Sequence, residues 1–192
     1  MCNVRLPSRT EIENCANMFR TEHADSEAEL HYLFSLPENR DVVEQRVRRL
    51  NAIYHARVSM EDQSVLVKRI CELKIEEKAR NPEVNVELVC RLARYGRGLR
   101  NNHLSFVSKY FSFCNPDVYP LFDGNVMAYL KKINDEYHFI GDFRNNEYGS
   151  ISASANYDRF IEIWSAFRNL SDDLKSVNVN DLDKYMWIKG ST

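Results

Sequence analysis

The apolar residues of this chain recur mostly at intervals of three and four, which is the period of an amphipathic α-helix. Seven stretches show that period, at 43–54, 66–73, 86–92, 106–113, 126–133, 157–167 and 182–188. The alternating pattern of half-buried strands is nearly absent. The sequence therefore predicts an all-α fold, a compact domain in which helices pack on helices around one core.

Capping residues place the starts of two predicted helices. Asp41 is followed three residues later by Glu44, the spacing of a capping box, so we expect a helix to begin there. Asn81 followed by Pro82 reads as the N-cap and first turn of a later helix.

Prolines and polar clusters mark the predicted loops. Asn115 with Pro116 ends one helix, and a second proline makes 116–122 a constrained loop. Asp123 is then a natural N-cap for the next helix. Two glycines and several polar clusters predict a further loop at 139–154.

Length and composition favour an intracellular protein. A chain of 192 residues with 44% hydrophobic side chains is typical of a single globular domain, so 1–192 is predicted to be one domain. No apolar run approaches the roughly 20 residues of a membrane span, and the first residues lack a signal-peptide pattern. The five cysteines form no C-x-x-C pair, which argues against a disulfide framework. We therefore expect a soluble, cytoplasmic protein.

Positive charge is concentrated although the formal net charge is −2. The stretch 91–109 contains no acidic residue and five basic ones: Arg91, Arg94, Arg97, Arg100 and Lys109. Basic residues that share a face can bind a polyanion even in a nearly neutral protein. The alternative is a solvated helix face, which is favoured for a second basic stretch at 46–57. The histidines show no ligand spacing, so neither a metal site nor a cofactor is predicted.

The most informative residues are Lys109, early in a predicted helix, and Asp123, at the start of the next. An antiparallel return of the chain would bring them to one cleft. A buried lysine with a lowered pKa can act as a nucleophile. An aspartate at a helix N-terminus is held ionised and can stabilise a developing cation.

This region resembles the helix-hairpin-helix DNA glycosylase superfamily, especially its 8-oxoguanine DNA glycosylases with a catalytic lysine. More closely, the chain is similar to a family of small bacterial proteins predicted to have that fold. The similarity covers 49–190 and rests on four segments: RLNAIY at 49–54, SFVSKY at 105–110, Asn115-Pro116 with Tyr119-Pro120 and Asp123, and LDKYMW at 182–187.

The resemblance implies a DNA N-glycosylase, with or without lyase activity, that acts on a flipped, damaged or modified base. Lys109 matches the lysine that attacks the sugar carbon, and Asp123 matches the aspartate that assists departure of the base. DNA is the implied partner. The residues expected to contact it are Arg94, Arg97, Arg100, His103, Ser105 and Ser108.

Two other interpretations remain open. The superfamily has a glycine-rich hairpin where this chain has Ser105-Phe106-Val107-Ser108, and serine and phenylalanine hinder close approach to a phosphate. The protein is therefore alternatively a catalytically inactive module that binds nucleic acid or another protein, as in a bacterial defence or repair locus. In that case Lys109 is a solvated lysine on an amphipathic helix. A metal-dependent nuclease is disfavoured because no acidic cluster lies beside the basic turn.

Overall fold

The helical period of the sequence is present in the structure, a computed structural model that describes residues 5–96 and 98–191. Those residues contain helices and one isolated β-bridge between Gly96 and Leu99, but no strand. The predicted all-α fold is confirmed. The helices are α1 (Arg9–Glu22), α2 (Ala24–Ser35), α3 (Arg40–Ile53), α4 (Met60–Leu73), α5 (Ile75–Ala79), α6 (Val86–Ala93), α7 (Leu104–Cys114), α8 (Gly124–Tyr137), α9 (Glu147–Ser154), α10 (Tyr157–Arg168), α11 (Asp172–Ser176) and α12 (Val179–Gly190).

Two helices at the start of the chain were not predicted. Helix α1 begins with a capping box in which Ser8 and Glu11 exchange hydrogen bonds. Helix α2 buries Glu27 beside Leu30 and Leu33. A charged residue on the inward face interrupts the apolar period, which hides this helix from a pattern search.

Two predicted helix starts were wrong. Helix α3 is capped by Asn39 instead of Asp41, and α6 by Asn85 instead of Asn81. In both cases the asparagine side chain accepts the backbone N–H three residues later, at 3.0 Å. Two Asn or Asp residues lie near each start, and local sequence does not decide which of them forms the cap.

The predicted loop at 139–154 is half helical, since Glu147–Ser154 forms α9. Glu147 is buried and accepts hydrogen bonds from Nε of Arg159 on α10 (2.9 Å) and from the backbone of Arg144 (2.8 Å). Ile151 is buried in the core. Tertiary contacts therefore stabilise a helix whose glycine and serine content is unfavourable.

Helix α7 lies at the centre of the packing and contacts α2, α3, α5 and α6. Elsewhere α12 packs against α1 and α8, and α3 packs against α4. Eight of the eleven residues of α7 are therefore buried, Lys109 among them. The alternative of a solvated Lys109 on an amphipathic helix is wrong.

A buried ionic cluster joins α3, α5 and α7. Arg46 is unexposed, pairs with Glu76, and donates to two carbonyls at the end of α2 (2.9 and 2.6 Å). The Tyr110 hydroxyl donates to the same carboxylate at 2.5 Å. The expectation of a solvated basic face at 46–57 is wrong at Arg46, because its carboxylate partner lies on a distant helix.

Across the described residues, no helix has both the length and the apolarity that crossing a membrane requires.

Candidate functional site

The candidate site is centred on a buried ion pair between α7 and α8. The Lys109 side chain is 3% exposed, and its Nζ lies 2.7 Å from Oδ2 of Asp123. The same nitrogen donates to Oγ of Ser105 at 2.8 Å and lies 5.6 Å from the centre of the Tyr54 ring. The predicted antiparallel return of the chain thus brings Lys109 and Asp123 together.

The fold holds both partners rigidly. Asp123 caps α8, accepting the backbone N–H of Asn125 on Oδ1 (3.0 Å) while Oδ2 faces Lys109. The preceding loop is fixed to α7 by the buried Ser108, whose hydroxyl donates to the carbonyl of Phe122 (3.2 Å) and accepts its N–H (3.1 Å). The carboxylate of Asp183 on α12 accepts the N–H of Leu121 at 2.7 Å.

Burial lowers the pKa of Lys109, although the charge of Asp123 and its hydrogen bond oppose that shift. A lower pKa raises the fraction of neutral amine, the nucleophilic form. Burial also raises the pKa of Tyr54, and the neighbouring carboxylates of Glu27 and Asp123 add to that effect. The site therefore combines a lysine whose pKa is lowered with a wall of aromatic side chains.

The pair lies at the edge of a cavity of about 410 Å³, within the usual range for small-molecule sites. Its aromatic lining is Phe19, Tyr54 and Trp187, with the Phe19 and Trp187 rings edge to face at 5.7 Å. Three exposed or partly exposed residues, His23, His55 and Asn125, complete part of the rim. A planar apolar ring would find complementary surfaces here.

A second buried ion pair lies in an adjoining recess, which shares Phe19, Glu27, Tyr54 and Trp187 with the cavity. Lys184 of α12 donates to Oε2 of Glu27 at 2.6 Å, and both side chains are about nine-tenths buried. One ion pair therefore lies in each of the two adjoining spaces, and Glu27 borders both of them.

Three of the six residues predicted to contact DNA lie away from this cavity. Arg94 lines a separate concavity with Arg91, and the exposed Arg100 faces Glu61 at 4.0 Å. His103 is mostly buried, with Nε2 2.7 Å from Oδ2 of Asp62. None of these three lines the cavity beside Lys109 and Asp123. The remaining arginine, Arg97, lies outside the described residues.

The two predicted serine contacts have structural partners. Ser105 accepts a hydrogen bond from Lys109, and the buried Ser108 fixes the loop before Asp123. Ser108 is unexposed, so it does not reach a phosphate in this conformation. Both serines position the ion pair, which is a role that the sequence did not indicate.

Among residues 5–96 and 98–191, no cluster of three His, Cys, Asp or Glu side chains is arranged to hold a metal ion.

The fold and the site together define the class of protein: it is an all-α protein with a buried lysine–aspartate pair beside an aromatic cavity. The family model HI_0787_N, described as an N-terminal domain, matches residues 10–118. That segment is more than half of the chain, so the protein belongs to this family. The matched segment contains Lys109 and ends before Asp123. Comparison with curated proteins found no match, and neither did comparison with solved structures.

Sequence reasoning missed the Glu27–Lys184 pair. Lys184 and Trp187 belong to the segment at 182–187 that the resemblance singled out, but the resemblance gave neither residue a role. The sequence does not indicate a partner for Glu27, because that partner lies 157 residues away. The cue to a buried partner is that an acidic residue occupies a core position of α2, and this is visible only when the helix is known.

Proposed function

We propose that this protein is a DNA N-glycosylase with an associated lyase step, acting on a flipped, damaged or modified base. The observation that carries the proposal is the buried Lys109, whose pKa is lowered and whose Nζ lies 2.7 Å from Asp123 beside an aromatic cavity. Perturbed ionisable groups in a cavity are typical of catalytic sites. The resemblance of 105–110 and Asp123 to the lysine glycosylases supplies the reaction class.

In the proposed reaction the Lys109 ammonium, whose pKa burial lowers, first loses a proton to water and becomes a neutral amine, while Asp123 stays ionised. Its Nζ then attacks C1′ of the sugar, forming a C–N bond while the bond from C1′ to the base breaks. The base leaves with that electron pair and takes a proton from the new ammonium group. The C1′–O4′ bond then breaks as the nitrogen lone pair forms a protonated imine, and O4′ takes a proton from water. In the lyase step the C2′ proton passes to ionised Asp123 while the C3′–O bond breaks, and the 3′ phosphate leaves with that electron pair.

The cavity supports this assignment because enzymes that act on a base must remove it from the stack. A flipped base is usually held between aromatic or apolar side chains. Phe19, Tyr54 and Trp187 provide such surfaces next to Lys109. Asp123 at the N-terminus of α8 is placed to stabilise positive charge that develops on the sugar.

Base release and borohydride trapping test the proposal together. Duplexes carrying 8-oxoguanine, other lesions or an abasic site are incubated with wild-type protein, Lys109→Gln and Asp123→Asn. The wild type should release a base and form a covalent adduct, while Lys109→Gln does neither and Asp123→Asn is slowed by roughly 100-fold or more. Lys132→Gln, an exposed lysine on α8, is the matched control and should react like the wild type.

A catalytically inactive nucleic-acid or protein-binding module is the second candidate. It is favoured by one observation: Arg94, Arg100 and His103 lie away from the cavity that holds Lys109. Absence of trapping and of base release over a broad lesion panel, from a folded protein, would establish this alternative over the enzyme.

A further inference from the structure

The Glu27–Lys184 pair is spatially separate from the pair that we assign to catalysis. It faces the recess that continues the cavity, under the ring of Phe19, whose centre lies 5.5 Å from Nζ of Lys184. His31 at the surface approaches the same carboxylate at 3.8 Å. Two opposite charges are thus held side by side on the wall of a small aromatic chamber.

Together the two groups offer both kinds of hydrogen-bonding partner. The Glu27 carboxylate only accepts, and the Lys184 ammonium only donates. The pairing edge of a nucleobase presents N–H donors next to carbonyl or ring-nitrogen acceptors. A carboxylate and an ammonium 2.6 Å apart are therefore complementary to a donor and an acceptor at neighbouring positions of one ring.

We infer that Glu27 and Lys184 form the specificity-determining subsite, which reads the hydrogen-bonding edge of a planar nitrogen heterocycle held against Phe19, Tyr54 and Trp187. This inference rests on the proposed function for the identity of the ligand as a base. It adds residues that determine which ring is accepted, whereas Lys109 and Asp123 act on the sugar.

Buried ion pairs are weak contributors to stability, because desolvation of the two charges offsets their attraction. If the pair only held α2 against α12, apolar side chains would do so equally well. The placement of the pair on a cavity wall, with the aromatic residues shared between both chambers, favours recognition of a ligand.

The test compares binding of nucleosides with binding of counterparts that are methylated on the pairing edge, by isothermal titration calorimetry. The probes are guanosine with 1-methylguanosine, uridine with 3-methyluridine, adenosine with N6,N6-dimethyladenosine and cytidine with N4,N4-dimethylcytidine. The wild type should bind its preferred nucleoside roughly 10–100 times more tightly than the methylated form, the cost of unpaired charged groups.

The double variant Glu27→Leu/Lys184→Met removes both charges and should bring that ratio below about 3, since no buried group is then left unpaired. The matched control replaces the exposed pair on α4, Lys68→Met with Glu72→Leu, and should keep the wild-type ratio. Should the double variant not fold, Glu27→Gln provides a near-isosteric substitute with the same expected direction.

Equal wild-type affinity for each nucleoside and its methylated form would overturn the inference, as would a variant that keeps the wild-type ratio. Failure of the proposed function has a different signature. Discriminating binding without base release or trapping would leave the subsite standing and reject the glycosylase. Base release with the same preference in the double variant would reject the subsite alone.

Discussion

Removing the central ion pair should stabilise the fold while it abolishes the chemistry. The change is Lys109→Met combined with Asp123→Asn. Methionine has a similar length and no charge, and asparagine caps a helix about as well as aspartate. Burial lowers the pKa of Lys109, so the folded protein holds its charged form at a cost that the variant no longer bears.

The expected magnitude follows from the burial of the two partners. Replacing buried pairs by non-ionic groups is neutral or stabilising by about 1–4 kcal/mol. Because Asp123 is 20% exposed and retains some hydration, we expect the lower end, about 1–2 kcal/mol. For a domain of this size that corresponds to a rise in Tm of about 2–8 °C.

Urea unfolding at several pH values measures the effect and its sign. With its pKa below the ordinary 10.5, Lys109 binds fewer protons in the folded state between its folded pKa and 10.5. In that window wild-type stability rises with pH, by at most about 1.4 kcal/mol per unit. The wild type should therefore approach the double variant as the pH nears 10.5.

The control removes an exposed pair on α8, Lys131→Met with Asp135→Asn, and should change stability by less than about 0.5 kcal/mol. A central double variant that is less stable than the wild type by more than about 1 kcal/mol would refute the reasoning. The Lys109–Asp123 pair would then be a structural clamp.

Three further outcomes are expected. Gly190→Ala places a Cβ in collision with the backbone oxygen of Asn125. Thermal unfolding should therefore show a loss of stability of about 1–3 kcal/mol, and trapping should be slower because the first turn of α8 must move. Arg46→Met leaves its carboxylate partner buried and unpaired, which should cost about 3–5 kcal/mol in urea unfolding. The double variant Arg97→Ala/Arg100→Ala tests DNA contact. If each arginine neutralises a phosphate, the slope of log binding constant against log salt concentration should become shallower by about 0.9 per contact. An unchanged slope would place the contacts elsewhere.

The fold class and the central pair were predictable because both depend on nearby residues. The helical period is local, and the N-cap at Asp123 lies only 14 residues from Lys109. A single antiparallel return between two predicted helices was enough to bring them together. The capping role of Asp123 is confirmed by its bond to Asn125.

The partners of other charged residues were not predictable, because they lie far away in sequence. Arg46 was read as solvated, but it meets Glu76 across 30 residues inside the core. His103 was a candidate phosphate ligand, but Asp62 on α4 holds its ring. The spacing of charged residues along one helix shows which of them share a face. It does not show which other helix packs against that face.

The most direct measurement locates the covalent bond itself. Wild-type protein is trapped with borohydride on a duplex containing an abasic site, digested, and mapped by mass spectrometry of the peptides. The proposed function predicts a reduced sugar adduct on the peptide that contains Lys109, whose amine is buried and held by Asp123. An adduct on Lys184, which lines the adjoining recess, or on the N-terminal amine would contradict the assignment of Lys109 as the nucleophile.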